Sequence, residues 1–237
     1  MSEKYQIKFI KSEEVADKTS LFTFEKPPSF TYEAGQTIDL TLPQLEGKNI
    51  HTFSLVTEPS QKFLQIATRM RGSDYKNTLS TLKEGDLVEI EGPFGSFRLH
   101  NDEEKPAVFL VGGIGITPFV SMIRDVINAG KAHKLYLFYS NRQLKDSAFF
   151  EELNTITSSG EINLQFIPTM TDVREDDDWL GETGYIDWSM VKKYVLDTGK
   201  AIYYMAGPPT MVSAMRKMLE EASVDEDSIR FEEFSGY

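Results

Sequence analysis

The chain has 237 residues and a formal net charge of −12, which argues against a general nucleic-acid binder because phosphate backbones call for a basic face. It contains no cysteine, which removes disulfides, cysteine-held iron–sulfur clusters and thiolate zinc sites together and makes a cytoplasmic location the expectation. No apolar run reaches membrane-spanning length and the start, MSEKYQIKFIKSEEVAD, does not read as a signal peptide, so membrane insertion is not expected.

Up to about residue 99 the chain reads as short strands separated by turn residues. YQIKFIKS, LFTFEK, TIDLTL, TFSLVT, FLQIATRM and LVEIEG alternate or run apolar over strand lengths, with Pro, Gly, Asn and Ser between them. Six such strands predict an antiparallel β-barrel, which closes its own edges. Within it, the end of one strand, His51-Thr52-Phe53-Ser54, groups a cation-capable ring, an aromatic and a hydroxyl. Farther on, Arg69 and Arg71 precede Gly72-Ser73. Basic side chains beside a Gly-Ser turn suit a phosphate-bearing ligand, whereas Lys76 reads as a solvent-facing charge.

Residues 100–106, HNDEEKP, are polar and end in proline, which predicts a link between two domains, 1–101 and 102–237. The rhythm then changes. AVFLV, KLYLFYS, NLQFIPTM, AIYYMA and IRFEEF read as strands, and helical segments intervene. That alternation predicts an α/β doubly wound parallel sheet, whose ligands bind outside the carboxyl ends of its strands. Two glycine turns fall at such ends. In GGIGITP, Gly112, Gly113 and Gly115 lack side chains where the chain turns, Thr117 reads as an N-cap and Pro118 suits the first helical position. In AGPPTM, Ala206, Gly207, Pro208 and Met211 make the second turn, so both are expected on one rim as an anion site at helix N-termini. The run DVREDDDW at 172–179 reads as a solvated loop. The three histidines lie far apart in sequence and do not suggest a metal site.

Taken together, these motifs resemble those of the ferredoxin–NADP reductase-like flavoproteins over nearly the whole chain. That family pairs a flavin-binding antiparallel barrel with a nicotinamide-nucleotide-binding α/β domain. His51-Thr52-Phe53-Ser54 resembles its Arg-x-Tyr-Ser pattern. The resemblance implies that Ser54 hydrogen-bonds the reactive edge of the flavin, that Phe53 lies against the flavin, and that His51 stands in for the arginine that meets the flavin phosphate. RGSDYKNTL resembles the family's phosphate loop, EGPFGSF its following turn, and GGIGITP and AGPPTM its loops around the pyrophosphate and nicotinamide. Relatives often carry cysteine at the position of Ala206. The family's terminal Glu-x-aromatic pattern is matched by Glu232 and Phe234, although Tyr237 offers a second ring to cover the flavin.

The resemblance implies an enzyme that passes a hydride from NAD(P)H to bound FAD, with FMN the less favoured flavin. Electrons would then go to a separate acceptor, an iron–sulfur protein or a small molecule. Ser140, Asn141 and Arg142 follow the second parallel strand with no carboxylate before Asp146, which leans toward NADPH over NADH. The readings left open are a reductase subunit of a multi-component oxygenase or electron-transfer complex, and a redox sensor without turnover. Arg69, Arg71, Lys76 and Lys83 would be the basic patch for an acidic acceptor.

Overall fold

A computed structural model describes residues 3–174 and 178–234. The first six strands are β1 (Glu3–Ala16), β2 (Thr19–Glu25), β3 (Thr37–Thr41), β4 (Ile50–Ser54), β5 (Phe63–Arg69) and β6 (Leu87–Phe94). They form one antiparallel sheet in the order β4-β3-β6-β1-β2-β5. Alternation on β1 sets the register: Ile7 faces Val88 and Phe9 faces Phe24, all buried, while Gln6, Lys8 and Ile10 reach solvent. The sheet curls until its two outer strands approach each other, where the Val56 N–H donates to the Gln65 carbonyl at 2.9 Å.

One helix in this region breaks the all-strand reading. Helix α1 (Asp74–Ser80) is capped by Ser73, whose hydroxyl accepts from the Lys76 N–H at 3.3 Å. It turns Tyr75, Lys76 and Leu79 inward, and the Tyr75 hydroxyl donates to the Leu40 carbonyl at 2.8 Å.

The second sheet contains β7 (Ala107–Gly112), β8 (Leu135–Asn141), β9 (Leu164–Met170), β10 (Glu182–Thr183), β11 (Ile202–Gly207) and β12 (Ile229–Glu233). Its order is β10-β9-β8-β7-β11-β12, and every pairing is parallel. Every residue of β7, β8 and β11 is buried, which explains their continuous apolar runs. The intervening helices are α2 (Thr117–Ala129), α3 (Phe150–Ser159), α4 (Trp188–Tyr194) and α5 (Pro209–Glu221). Helices α4 and α5 share an apolar cluster with Val108, Leu110, Phe138 and Met205. On the opposite face, Phe150 of α3 packs edge-on against Phe166 at 5.5 Å.

The chain divides into two compact units. One runs to Arg98 and takes in Thr117–Asn128; the other comprises Leu99–Ile116 and everything from Ala129. Sequence rhythm puts the helix at 117–129 with the second domain, but its packing partners lie in the first unit. Phe119 meets Phe97 at 5.6 Å, the Ser121 hydroxyl donates to the Thr57 carbonyl at 2.6 Å, and Arg124 donates to the Val56 carbonyl at 3.2 Å. The acidity is uneven: the first unit has 13 basic against 15 acidic residues, and the second 12 against 22. Among the described residues, no helix is long and apolar enough to cross a membrane.

Candidate functional site

Chain order reverses between β7 and β11, so the two neighbouring strands send their carboxyl ends to the switch point of the parallel sheet. The glycine turns meet there. A Cβ at Gly112 would fall 2.1 Å from the Met211 Sδ, and one at Gly115 would fall 2.4 Å from the Ala206 carbonyl oxygen. A Cβ at Gly207, which adopts φ +156°, would fall 3.2–3.3 Å from the Gly112 backbone. These glycines are required first by the contact between the two turns, whatever binds above them. Gly113 adopts φ +53° and opens a 3₁₀ turn, Gly113–Ile116, that runs directly into α2. Thr117 is therefore buried inside the helical run, which corrects its reading as an N-cap; Pro118 follows it in the first turn.

The carboxy-terminal strand lies against the second turn. Glu232 stands opposite Ala206, and the Phe234 N–H donates to the Gly207 carbonyl at 3.0 Å. The Glu232 Oε2 is buried without a hydrogen-bond partner, and burial pushes its carboxyl up to about 7. Tyr237 lies outside the described residues. On the other side of β7, Ser140 pairs in register with Gly112. Both polar atoms of the Asn141 side chain are buried and unpartnered, at the carboxyl end of β8. Arg142 is exposed and pairs with Asp172 at 3.7 Å. A groove beside them is lined by Gln143, Leu144, Met170, Asp172 and Trp179.

In the first unit, β4 carries His51, Thr52, Phe53 and Ser54 on alternating faces. Thr52 is exposed and its hydroxyl bonds the Asp39 carboxylate at 2.5 Å, whereas the His51 ring lies 4.2 Å from the Tyr75 ring. Phe53 is 4 % exposed and packs over Tyr75 in the barrel core. Ser54 is buried, and its Oγ has no hydrogen-bond partner. A buried hydroxyl without a partner costs stability. Burial, with Lys48 and Lys76 nearby, holds His51 below the ordinary imidazole range, so the ring is neutral at physiological pH. Arg69 is half-buried, and Arg71, Gly72 and Ser73 are exposed around the start of α1, with Gly72 at φ +72°.

Lys76 needs correction: it is 5 % exposed, and cannot belong to a solvent-facing patch with Arg71 and Lys83. The signal was present in the i, i+4 spacing of Tyr75 and Leu79, which turns a short helix with its next residue inward. His100 and His133 also come together, their rings 5.1 Å apart. They serve hydrogen bonds. His100 Nδ1 contacts the Tyr204 hydroxyl at 2.9 Å, its Nε2 contacts the Lys105 carbonyl at 2.9 Å, and His133 Nε2 contacts the His100 carbonyl at 2.8 Å. Among the described residues no group of three or more His, Cys, Asp or Glu is placed to hold a metal ion.

Comparison with known proteins agrees with this arrangement. Residues 109–217 match the family described as Oxidoreductase NAD-binding domain. The chain is 28 % identical to the phenol hydroxylase P5 protein of Acinetobacter pittii, covering 86 % of this chain and 58 % of that one. It is 31 % identical to one component of the Na(+)-translocating NADH-quinone reductase of Pseudomonas aeruginosa, covering 79 % and 49 % respectively. The chain thus spans about half the length of these relatives. In fold it matches a cytochrome P450 reductase of Amycolatopsis with TM-score 0.83 and 22 % identity, over 99 % of this chain and 71 % of that one. It also matches a ferredoxin NADP+ reductase of Neisseria gonorrhoeae, solved with bound FAD and NADP, with TM-score 0.81 and 18 % identity, over 98 % and 99 %. Residues 109–217 thus form an oxidoreductase NAD-binding domain, and the chain has the fold of ferredoxin–NADP reductase-like structures.

Proposed function

We propose that the chain is a reductase that draws electrons from a reduced nicotinamide nucleotide through bound FAD and delivers them to a separate acceptor. The observation that carries this reading is the buried, unpartnered Ser54 Oγ at the end of β4, in a chain whose other unit is an NAD-binding domain. Flavin supplies the chemistry when bound, because it takes a hydride and can release electrons one at a time. The residues supply position. Ser54 donates to the reactive edge of the flavin, and Arg69, Arg71 and the Gly72-Ser73 turn serve its phosphate side, with His51 contributing a neutral ring nitrogen; Phe53, in the barrel core, supports β4 from behind and does not reach the ring.

On the second unit, the main chain of Gly112, Gly113 and Gly115 would receive the pyrophosphate, and Thr117-Pro118 follow this turn in the chain. Ala206, Gly207, Pro208 and Met211 border the nicotinamide. The orphaned Asn141 amide, with Ser140, is set to bond ribose hydroxyls, and Arg142 to meet a 2′-phosphate, which favours NADPH. Glu232, protonated below about pH 7, can donate its O–H to a carboxamide, while Phe234 covers the flavin. FAD is preferred to FMN on the family resemblance and on the FAD-bound Neisseria neighbour. A cytoplasmic setting belongs to the same reading.

The acceptor is a separate protein or small molecule, and a role as the reductase component of an oxygenase has specific support. Phenol hydroxylase P5 and the ferredoxin reductase in carbazole 1,9a-dioxygenase are both similar to this chain. An acidic acceptor would be repelled by the second unit and tolerated by the nearly balanced first. The test is an anaerobic titration of the flavin-loaded protein with NADPH and NADH in separate cuvettes. Bleaching of the flavin band at low concentration of one nucleotide supports the reading and names the donor; protein that takes up neither FAD nor FMN overturns it.

A further inference from the structure

We propose that Tyr204 is a positioning residue that holds the Arg230 guanidinium away from Glu232 and so leaves that buried carboxyl without a counter-ion. The proposal deepens the reading of Glu232 as the group that meets the nicotinamide carboxamide, and its consequence for nucleotide binding rests on that reading. A carboxyl that stays protonated can donate a hydrogen bond there; one paired with a guanidinium can only accept.

The register of the last two strands sets the geometry. Tyr204 stands opposite Arg230, and Ala206 stands opposite Glu232. Arg230 and Glu232 are two residues apart, so their side chains leave the same face of β12, about 6.5 Å apart along the strand. A guanidinium on its long stem spans that distance, and a carboxylate matches its fork of donors. Yet the Glu232 Oε2 is buried without a hydrogen-bond partner. Arg230 is turned to Tyr204 instead. Its Nη1 donates to the Tyr204 hydroxyl at 3.1 Å, and its guanidinium carbon lies 5.3 Å from the centre of the Tyr204 ring.

Tyr204 is itself fixed. Its hydroxyl accepts from the His100 N–H at 2.9 Å, and Phe109 packs edge-on against its ring at 5.4 Å. The electrostatics follow the same arrangement. Burial is the largest influence on Tyr204 and His100, and the Arg230 charge acts on both, with His133 and Asp102 also felt at His100. At Glu232 burial acts alone. Its strand neighbours Phe231 and Glu233 point to the other face of β12, where Arg216 of α5 lies over the Phe231 ring at 4.4 Å. Arg230 is thus a cation within reach of the carboxyl, and Tyr204 decides where it goes.

The experiment follows the Glu232 carboxyl by carbon NMR of the full chain labelled at its glutamate side-chain carboxyls, with Glu232→Gln identifying the signal. Titrations compare wild type, Tyr204→Phe, Arg230→Met and the double variant. The wild-type signal is expected to titrate at about 7. In Tyr204→Phe the midpoint should fall by about one to three pH units, the range for a carboxyl that gains an opposite charge at close range. Removing Arg230 as well should return the midpoint toward the wild-type value. A midpoint that stays put in Tyr204→Phe overturns the proposal. So does one that stays low in the double variant, because water reaching the carboxyl would then be the cause. Should Tyr204→Phe fail to fold, Arg230→Met decides. Its midpoint is expected to match wild type, and a raised one would show that Arg230 already serves Glu232 as counter-ion and overturn the assignment. These titrations need no nucleotide, so a wild-type chain that takes up neither FAD nor FMN overturns the functional reading and leaves their result standing.

Discussion

The carbonyl oxygen of Ala206 occupies the place where a side chain on Gly115 would begin, 2.4 Å from its Cβ. Two turns separated by some ninety residues are thereby locked against each other at the switch point of the parallel sheet. The same closeness recurs one step away, where Met211 fills the space above Gly112. A bare backbone suits a phosphate site, but here the packing alone already demands it.

Gly115→Ala should therefore damage the second unit even without nucleotide present. A methyl group at 2.4 Å from main chain cannot be accommodated by a rotamer change, so a cost of about 1–3 kcal/mol is expected from overpacking. Both tryptophans, Trp179 and Trp188, lie in that unit, so their fluorescence in a urea titration reads it directly. A variant with the wild-type midpoint would mean that the two turns are not in contact in solution.

What the sequence made legible follows from where each signal comes from. The runs of β7, β8 and β11 are almost wholly apolar, Ser140 and Asn141 at the end of β8 apart, because both faces are covered, and such strands announce themselves without tertiary information. Parallel alternation also told that the two glycine turns share a rim. It could not tell that β7 and β11 are neighbours in a sheet whose order reverses between them. Helix α1 is hard to read because its seven residues follow Gly72-Ser73, which gives turn chemistry more weight than periodicity. Lys76 was misread for a related reason: residue type predicts exposure, whereas burial is decided by the Tyr75–Leu79 face. Thr117 looked like a cap because the preceding glycines hide a 3₁₀ turn that already winds the chain. His100 and His133 meet through the fold alone.

Ser54→Ala separates stability from chemistry. The hydroxyl is buried and unpartnered, so its removal takes away a desolvated group and should leave the thermal midpoint of the flavin-free protein unchanged or slightly higher. Flavin reduction by NAD(P)H, followed by stopped flow, should slow on the order of 100- to 1000-fold, as expected on losing one aimed donor. Wild-type rates in the variant would remove Ser54 from the site.

Tyr204→Phe tests the polar network that anchors the start of the second unit. The Tyr204 hydroxyl accepts from the His100 N–H at 2.9 Å and from Arg230 at 3.1 Å, so its own proton goes to His100 Nδ1. Nε2–H then donates to the Lys105 carbonyl, which fixes a neutral tautomer, in line with the burial that lowers the pKa of His100. Removing the hydroxyl strands these buried partners, at a cost of about 1–3 kcal/mol. The urea midpoint by tryptophan fluorescence should fall, with the slope unchanged. A shift within error would show that water replaces the hydroxyl.

Glu232 gives the pH dependence. Its carboxyl is raised to about 7 by burial alone, so the folded chain holds a proton that the unfolded chain releases near 4.5. The stability associated with this group is complete below the ordinary carboxylate range and is lost as pH rises through about 7. His51 and His100 act in the other direction: both are lowered, so their contribution is present above 6.5 and fades as pH falls below it. Those two groups remain in Glu232→Gln, so the difference between variant and wild type isolates the acid. The thermal midpoint of the variant should gain on the wild type between pH 5 and 7.5 and run parallel to it above. If the protonated acid donates to the nicotinamide carboxamide, the affinity of wild type for reduced nucleotide falls as pH passes 7, while that of Glu232→Gln stays level. Parallel curves for both proteins across the whole range would mean that Glu232 is already ionised and compensated in the folded chain.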